Sequence, residues 1–193
     1  MKGSPGVTGL ILAGGRSTRF GADKARHPVA GRAMIEHVVA AVAAVTDAVL
    51  ISVAEVPSDD MPAVRYVVDR YAEAGPLAGL HAGLEAAGTP WVLAVACDMP
   101  FLTPAVLQRL LDARTPNVAA VVARTPDGQG HPLCACYHRD ARPLVEARLA
   151  SGTLAMHALL DYLENVRYVD LPPGPLRNVN RVSDLDLSGK SLL

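Results

Sequence analysis

Short, almost continuous apolar runs alternate along this chain with segments whose apolar residues recur every three or four positions. Runs of the first kind are typical of strands buried on both faces, and the second spacing is typical of amphipathic helices. Strands are therefore predicted over residues 7–13, 48–53, 64–68, 91–96, 118–123, 133–137 and 166–171. Helices are predicted over residues 34–45, 77–87, 104–113, 139–149 and 154–163. This alternation predicts an α/β fold with a mostly parallel sheet that carries helices on both faces.

A chain of 193 residues without an internal repeat or a linker-like segment is expected to form one domain. The proline-rich stretch 171–176 indicates a local turn within that domain. The expected fold class is a single doubly wound α/β domain of Rossmann-like type. In such a sheet, ligands bind beyond the carboxyl ends of the strands, where the strand order reverses. Functional residues are therefore expected in segments 14–24 and 97–100, which follow two of the predicted strands.

The composition narrows the class of protein. Half of the residues are hydrophobic and 19% are charged, which excludes a disordered protein. The formal net charge of −1 gives no electrostatic basis for binding nucleic acid or an anionic membrane surface. The apolar run 7–13 is too short for a secretory signal, and three cysteines do not make a disulfide framework. We therefore expect a cytoplasmic protein with reduced thiols and no membrane span.

The strongest chemical signal is a glycine-rich, basic loop, L-A-G-G-R-S-T-R-F-G-A-D-K, over residues 12–24. Three glycines in it allow backbone N–H groups to approach an anion closely: Gly14, Gly15 and Gly21. Arg19 and Lys24 add positive charge, and Lys24 is the only lysine between residues 2 and 190. The spacing differs from both the P-loop and the dinucleotide G-x-G-x-x-G. The loop is predicted to bind a triphosphate.

Two further segments carry candidate chemistry. Asp98, in the segment C-D-M-P over 97–100, is placed to give Mg²⁺ a hard oxygen ligand, although an Asx turn before Pro100 requires the same residue types. The second is the segment G-P-L-A-G over 75–79, which on its own has the sequence of an ordinary helix entry turn. Cys134 and Cys136 lack the paired spacing of a zinc site, so packing inside a strand is the preferred interpretation.

In combination, these motifs resemble the molybdenum cofactor guanylyltransferase family, within the nucleotide-diphospho-sugar transferase-like superfamily. The resemblance includes the first loop, segments 75–79 and 97–100, and the C-terminal N-x-N-x-x-x-D-L of 178–185. It therefore extends over nearly the whole chain, from residue 9 to 185. The first loop alone would indicate only the superfamily.

The resemblance implies a Mg²⁺-dependent enzyme that transfers GMP from GTP to molybdopterin and releases pyrophosphate. It also implies a nucleotide-binding half over about 1–100 and an acceptor-binding half over about 101–185. Because molybdopterin is labile, we expect partner proteins such as molybdenum-insertion or molybdoenzyme chaperone proteins to deliver or collect it.

Site residues follow from the same resemblance. Arg19, Lys24 and Asp98 are the expected catalytic residues, with Asp98 as the metal ligand. The expected nucleotide-binding residues are Leu12, Ala13, Gly14, Gly15, Gly21, Lys24, Ser52, Asp69, Gly75, Gly79 and Asp98. The expected acceptor-binding residues are His131, Asn178 and Asn180.

Two positions depart from the family pattern. Ser52 stands where members of the family often have asparagine, and a hydroxyl replaces only part of an amide's donor–acceptor pair. The family often has arginine after the serine–glycine turn, where this chain continues T-L-A over 153–155. This second departure affects the acceptor side of the expected site.

Two other functions remain open. A cytidylyltransferase for the same cofactor, or another transferase of the superfamily, would more often have A-A-G in the first loop and D-Q-P after the central strand. This chain has A-G-G and D-M-P, which favours guanine. A non-catalytic nucleotide-binding module would not need Lys24 and Asp98, which are both present.

Overall fold

A computed structural model gives the fold, and it describes residues 6–14, 24–58, 61, 64–71, 73–180 and 184, with the backbone alone at Lys24. The strands are β1 (Val7–Leu12), β2 (Pro28–Val29), β3 (Arg32–Ala33), β4 (Ala48–Val53), β5 (Arg65–Val68), β6 (Trp91–Ala96), β7 (Ala120–Arg124), β8 (Gly130–His138) and β9 (Val166–Asp170). The α-helices are α1 (Met34–Ala43), α2 (Pro76–Ala86), α3 (Pro104–Asp112), α4 (Arg142–Ala150) and α5 (Met156–Leu160).

Seven of the strands form one sheet in the order β5-β4-β1-β6-β8-β7-β9. Neighbouring strands run parallel except for β8, which is antiparallel to both β6 and β7. Antiparallel pairing follows from the short connection between β7 and β8, because a parallel pair needs a long crossover. The predicted mostly parallel α/β sheet is therefore confirmed.

Helices cover both faces of this sheet. Consecutive residues of β1 alternate between the faces, with Ile11 in one hydrophobic cluster and Leu10 in the other. The first cluster includes Val42 of α1 and Leu107 of α3. The second includes residues of α2, α4 and α5. The central strands are thus buried on both sides, as their continuous apolar sequences predict.

Most predicted elements appear close to their expected positions. β4 and β6 have the predicted bounds, and Thr103 caps α3, its hydroxyl oxygen accepting from the N–H of Val106 at 3.3 Å. The predicted helix 139–149 is divided into a short 3₁₀ turn, Arg139–Ala141, and α4, which has proline in its first turn. The predicted helix 154–163 is shorter, because only Met156–Leu160 is helical.

The small β2–β3 hairpin was not predicted. Each of its strands has two residues, which is too short for a periodic pattern. Its turn places Ala30 and Gly31 at φ of 47° and 82°, the left-handed conformation that such tight hairpins require.

The strand order reverses at β1, which lies between β4 and β6. Here the N–H of Ala13 donates to the carbonyl of Ser52 at 3.0 Å, and the N–H of Cys97 donates to the carbonyl of Leu12 at 3.2 Å. The ends of three strands therefore meet at this edge of the sheet. Within the described ranges, none of the helices is long and apolar enough to cross a membrane.

Candidate active site at the carboxyl edge of the sheet

Most of the predicted site residues lie at or near this edge. Gly15, Arg19 and Gly21 lie outside the described residues, as does the side chain of Lys24. The remaining candidates fall into two groups, one beside β4 and β5 and the other beside β6 and β8.

The first group is built around Ser52 and Asp69. Ser52 is the next-to-last residue of β4, and Asp69 directly follows β5. The N–H of Asp69 donates to the carbonyl of Val53 at 3.1 Å, which continues the parallel pairing by one residue. The hydroxyl of Ser52 donates to Oδ1 of Asp69 at 2.5 Å. A charge-assisted hydrogen bond thus links the ends of the two strands.

Asp69 has a raised pKa. Its partial burial removes water from the carboxylate and raises the pKa, while the hydrogen bond from Ser52 opposes that shift. Burial is the larger of the two effects. The site therefore holds a carboxyl group that is underhydrated and still accessible.

Two glycines allow other parts of the chain to approach this pair. A Cβ atom on Gly14 would lie 2.7 Å from Oδ2 of Asp69. A Cβ atom on Gly79, in α2, would overlap the hydroxyl of Ser52 and lie 2.7 Å from a methyl carbon of Leu12. Both positions therefore need glycine for the approach of backbone to side chain.

Helix α2 begins beside this group. Gly75 is its N-terminal cap with φ of 62° and ψ of −148°, a conformation that is essentially restricted to glycine. Pro76 follows in the first turn, where its missing N–H has no cost. The predicted turn at 75–79 therefore has two roles, to start the helix and to bring Gly79 against Ser52.

The second group joins segments that are far apart in sequence. The side-chain amide of Asn178 donates to Oδ1 of Asp98 at 3.1 Å, across 80 residues. The N–H of Val179 donates to the carbonyl of Asp98 at 2.8 Å. These two bonds hold the C-terminal segment against the loop that follows β6.

Asn180 has different surroundings from Asn178. It is exposed, and its N–H donates to a carboxylate oxygen of Asp184 at 2.7 Å. Arg177 donates to the carbonyl of Asp184, also at 2.7 Å, and its guanidinium lies over the ring of Phe101. The structure therefore brings Asn178 to Asp98 and anchors Asn180 through its backbone.

A cavity of about 430 Å³ opens next to Asn178. Its lining is mostly apolar with a few polar side chains, which is typical of a small-molecule site. It is lined by Pro76, Met99, Gln129, Gly130, His131, Pro132, Leu133, Leu154, Ala155, Met156, His157 and Asn178. A second cavity of about 490 Å³ shares Gln129, His131 and Asn178 with the first.

His131 lies between the two cavities. Its Nε2 atom is buried and has no hydrogen-bond partner in the structure as described. Burial lowers the pKa of His131, as does the neighbouring His157, while Asp127 raises it. A buried imidazole nitrogen without a partner costs free energy, which makes His131 an unusual residue beside the two cavities.

Gln129 and His157 also line the first cavity, although neither was predicted from the sequence. His157 is exposed in the first turn of α5, and nothing in its sequence neighbourhood distinguishes it from a surface histidine. Gln129 is two residues from His131, which is the one signal that pointed to it.

Cys134 and Cys136 are fully buried in β8 with free thiols. Burial raises the pKa of both thiols to about 12. The thiolate that zinc binding requires is therefore strongly disfavoured at these positions.

Comparison with known proteins gives a consistent picture. Residues 9–166 match the model of the family described as MobA-like NTP transferase domain. The chain is 35% identical over 190 residues to the molybdenum cofactor guanylyltransferase of Desulfosudis oleivorans, covering 93% of each chain. It is 35% identical over 187 residues to the probable molybdenum cofactor guanylyltransferase of Mycobacterium marinum, covering 93% of this chain and 91% of the relative.

Solved structures extend the likeness of the fold. The molybdopterin-guanine dinucleotide biosynthesis protein A of Archaeoglobus fulgidus superposes with a TM-score of 0.76 at 23% identity, covering 94% of this chain and 96% of the other. The 2-C-methyl-D-erythritol 4-phosphate cytidylyltransferase of Thermus thermophilus superposes with a TM-score of 0.71 at 20% identity, covering 97% and 96%. At these identities the likeness establishes the fold.

Proposed function

Since the chain belongs to the MobA-like NTP transferase family, and is therefore a nucleotidyltransferase, we propose that it transfers GMP from GTP to molybdopterin. In this reaction a phosphate oxygen of molybdopterin attacks the α-phosphorus of GTP. The bond between the α-phosphorus and the bridging oxygen to the β-phosphate breaks, and pyrophosphate leaves. Such a displacement depends on positioning and on charge stabilisation.

The observation that carries this proposal is the contact of Asp98 with Asn178. It joins the loop after β6, at the reversal of strand order, to a segment that lines the 430 Å³ cavity. A nucleotide at the sheet edge and an acceptor in the cavity would therefore meet at Asp98. The curated relatives carry the guanylyltransferase name, which supports GTP and molybdopterin as the two substrates.

On the nucleotide side, Leu12, Ala13 and Gly14 would contact GTP through their backbone. Ser52, Asp69, Gly75 and Gly79 form the adjoining group. In the loop over 15–24 we expect Gly15 and Gly21 to allow close approach of the phosphates. Arg19 and Lys24 would supply positive charge to the leaving pyrophosphate.

The residues at this edge fit a Mg²⁺ ion. This cation is commonly bound by one or two carboxylates together with substrate phosphates, and Asp98 offers one carboxylate beside the amide of Asn178. Held by Asp98, Mg²⁺ would offset the negative charge that develops on the leaving pyrophosphate.

On the acceptor side, we assign Asn178, Asn180 and His131 to molybdopterin. His131 and Asn178 line both cavities, and the buried Nε2 of His131 lacks a partner in the described part of the chain. This assignment gives a nucleotide-binding half over about 1–100 and an acceptor-binding half over about 101–185. Molybdenum-insertion or molybdoenzyme chaperone proteins in the cytoplasm are the partners we propose.

A cytidylyltransferase is the second candidate, because the fold also superposes on the Thermus thermophilus cytidylyltransferase. A direct assay separates the two. The full chain is incubated with molybdopterin, Mg²⁺ and GTP labelled at the α-phosphate, and the release of pyrophosphate is measured. We expect labelled pterin product and pyrophosphate in equal amounts with GTP, and neither with CTP.

The same assay tests the role of Asp98. Asp98→Asn should lower kcat by about 10²- to 10³-fold, because it removes the charge that binds the metal while keeping the side-chain size. Asp161→Asn, at an exposed position after α5, serves as the control and should leave kcat unchanged. Transfer from CTP would establish the cytidylyltransferase, and GTP binding without any turnover would indicate a non-catalytic module.

A further inference from the structure

Ser52 is buried at the end of β4, with 1% of its surface exposed. Its hydroxyl donates to Asp69. A side chain so completely enclosed has almost no surface for direct contact with a nucleotide. Any effect of Ser52 on nucleotide binding must therefore pass through a neighbour.

We propose that Ser52 is a positioning residue, which holds the carboxylate of Asp69 in the orientation that selects the nucleotide. The inference rests on the proposed function, since it takes the group beside β4 and β5 as the nucleotide side of the site. It assigns to Ser52 a role through Asp69 in place of the direct amide contact that an asparagine could make here.

The backbone fixes both residues before any ligand binds. Ser52 pairs with Leu12 of β1 on one side and with Val67 of β5 on the other. The N–H of Asp69 is bonded to the carbonyl of Val53. The two side chains therefore start from rigid positions one strand apart, which limits the entropy lost in forming their hydrogen bond.

Packing restricts the side chains as well. The α-carbon of Gly79 lies against the hydroxyl of Ser52, and that of Gly14 lies against Oδ2 of Asp69. One carboxylate oxygen of Asp69 is thus bonded to Ser52, while the other lies next to Gly14. Without the hydroxyl, the carboxylate would lose the bond that fixes its rotation.

An oriented carboxylate discriminates between bases. Guanine presents two adjacent N–H donors on one edge, N1–H and the 2-amino group, which match the two oxygens of a carboxylate. Adenine and cytosine place an acceptor nitrogen beside their amino group, which a carboxylate would repel. A carboxylate that rotates freely would lose part of this preference.

A double-mutant cycle tests the coupling between the two residues. GTP dissociation constants are measured by calorimetry with Mg²⁺ for the full chain, Ser52→Ala, Asp69→Asn and the double variant. We expect Ser52→Ala to weaken GTP binding about tenfold, and to have no further effect once Asp69 is replaced. Equal effects of Ser52→Ala in both backgrounds would overturn the proposal, since they would show a contribution independent of Asp69.

The pH dependence of GTP binding gives a second test. It would not change if Ser52 had a purely structural role. The hydrogen bond from Ser52 lowers the pKa of Asp69 against the effect of burial, so its loss should shift the acidic limb of GTP binding to higher pH. Ser52→Cys keeps an unbranched side chain with one γ-atom, but its larger thiol donates only weakly. It should shift the limb in the same direction even if Ser52→Ala is less stable. An unchanged limb in both variants would contradict the proposal.

Thr46→Ala is the matched control. Thr46 is also buried, and it lies just before β4, at the end of that strand opposite to Ser52. Its hydroxyl donates to the carbonyl of Val42 at 2.9 Å. Its loss should leave GTP affinity and the pH profile unchanged. If the unaltered protein fails to prefer GTP over ATP and CTP, both the proposed function and this inference are wrong, whereas an additive cycle in a GTP-selective protein rejects only the role of Ser52.

Discussion

A carboxyl group that is half-buried beside a hydroxyl, as Asp69 is, loses hydration for which one hydrogen bond compensates only in part. Burial accordingly raises its pKa above the ordinary value. In the unfolded chain this penalty is absent. The ionised form of Asp69 therefore lowers the stability of the free protein, and we attribute its presence to a need for the charge in binding.

Asp69→Asn should stabilise the free protein at neutral pH while weakening GTP binding. Because the folded-state pKa is raised, the favourable contribution of the protonated carboxyl is fully present below the unfolded pKa and is lost as pH rises through the folded pKa. The gain in Tm of the variant over the unaltered protein should therefore be larger at pH 7 than at pH 4, as measured by thermal unfolding.

Asp127 supplies a control of opposite sign. The hydroxyl of Thr125 and the N–H of Gln129 both donate to it and lower its pKa. Asp127→Asn should therefore have a lower Tm than the unaltered protein, and this difference should be larger at neutral pH than at acidic pH. A Tm difference for Asp69→Asn that does not change between pH 4 and pH 7 would contradict the assignment of a raised pKa.

At the scale of elements, the strands that the sequence located best are those with continuous apolar runs and clear flanking turns, β4 and β6. Burial on both faces imposes that pattern, so it is visible without tertiary information. The division of 139–149 and the shortening of 154–163 were not visible. In the first case a proline in the first turn of α4 marks where the helix begins. In the second case only Met156–Leu160 is helical, although the apolar spacing fits a longer helix.

The site could be predicted only in part, because its contacts join segments that are distant in sequence. Asp98 was predicted from its position after a strand, and Asp69 and Ser52 from the family resemblance. The hydrogen bond between Ser52 and Asp69, however, depends on the register of two strands. The contact of Asp98 with Asn178 depends on a chain return over 80 residues. Neither contact is visible in the local sequence, because both form only when distant segments fold together.

Helix α2 offers a test of how an element positions the site. Gly79→Ala would place a methyl group into the space of the Ser52 hydroxyl and a Leu12 methyl. We expect it to lower the free energy of unfolding by about 1–3 kcal/mol, as overpacking does, and to weaken GTP binding by moving α2 away from β4. Denaturant unfolding and GTP titration measure the two effects.

Gly88→Ala is the control for that substitution. Gly88 follows α2 in a loop, and a Cβ atom there would meet nothing within 4 Å. This variant should keep its GTP affinity and be as stable as the unaltered protein or slightly more so, because alanine restricts the unfolded chain. Equal behaviour of the two alanine variants would show that the close approach of Gly79 is unimportant.

For the whole molecule, the central question is whether the two halves of the site act separately until the reaction occurs. The group that we propose to bind the nucleotide lies beside β4 and β5, and the cavity lies beside β6 and β8, with Asp98 between them. A substitution deep in the cavity should therefore affect the acceptor and not the nucleotide.

His131→Asn tests this separation. The variant replaces the imidazole ring, which lines both cavities, by a smaller side chain. It should therefore raise the KM for molybdopterin about tenfold, while the GTP dissociation constant changes by less than about twofold. His138→Asn, at the opposite end of the same strand, should change neither value. A parallel loss of GTP affinity in His131→Asn would mean that the cavity belongs to the nucleotide site, and the acceptor would then have to bind elsewhere along the sheet edge.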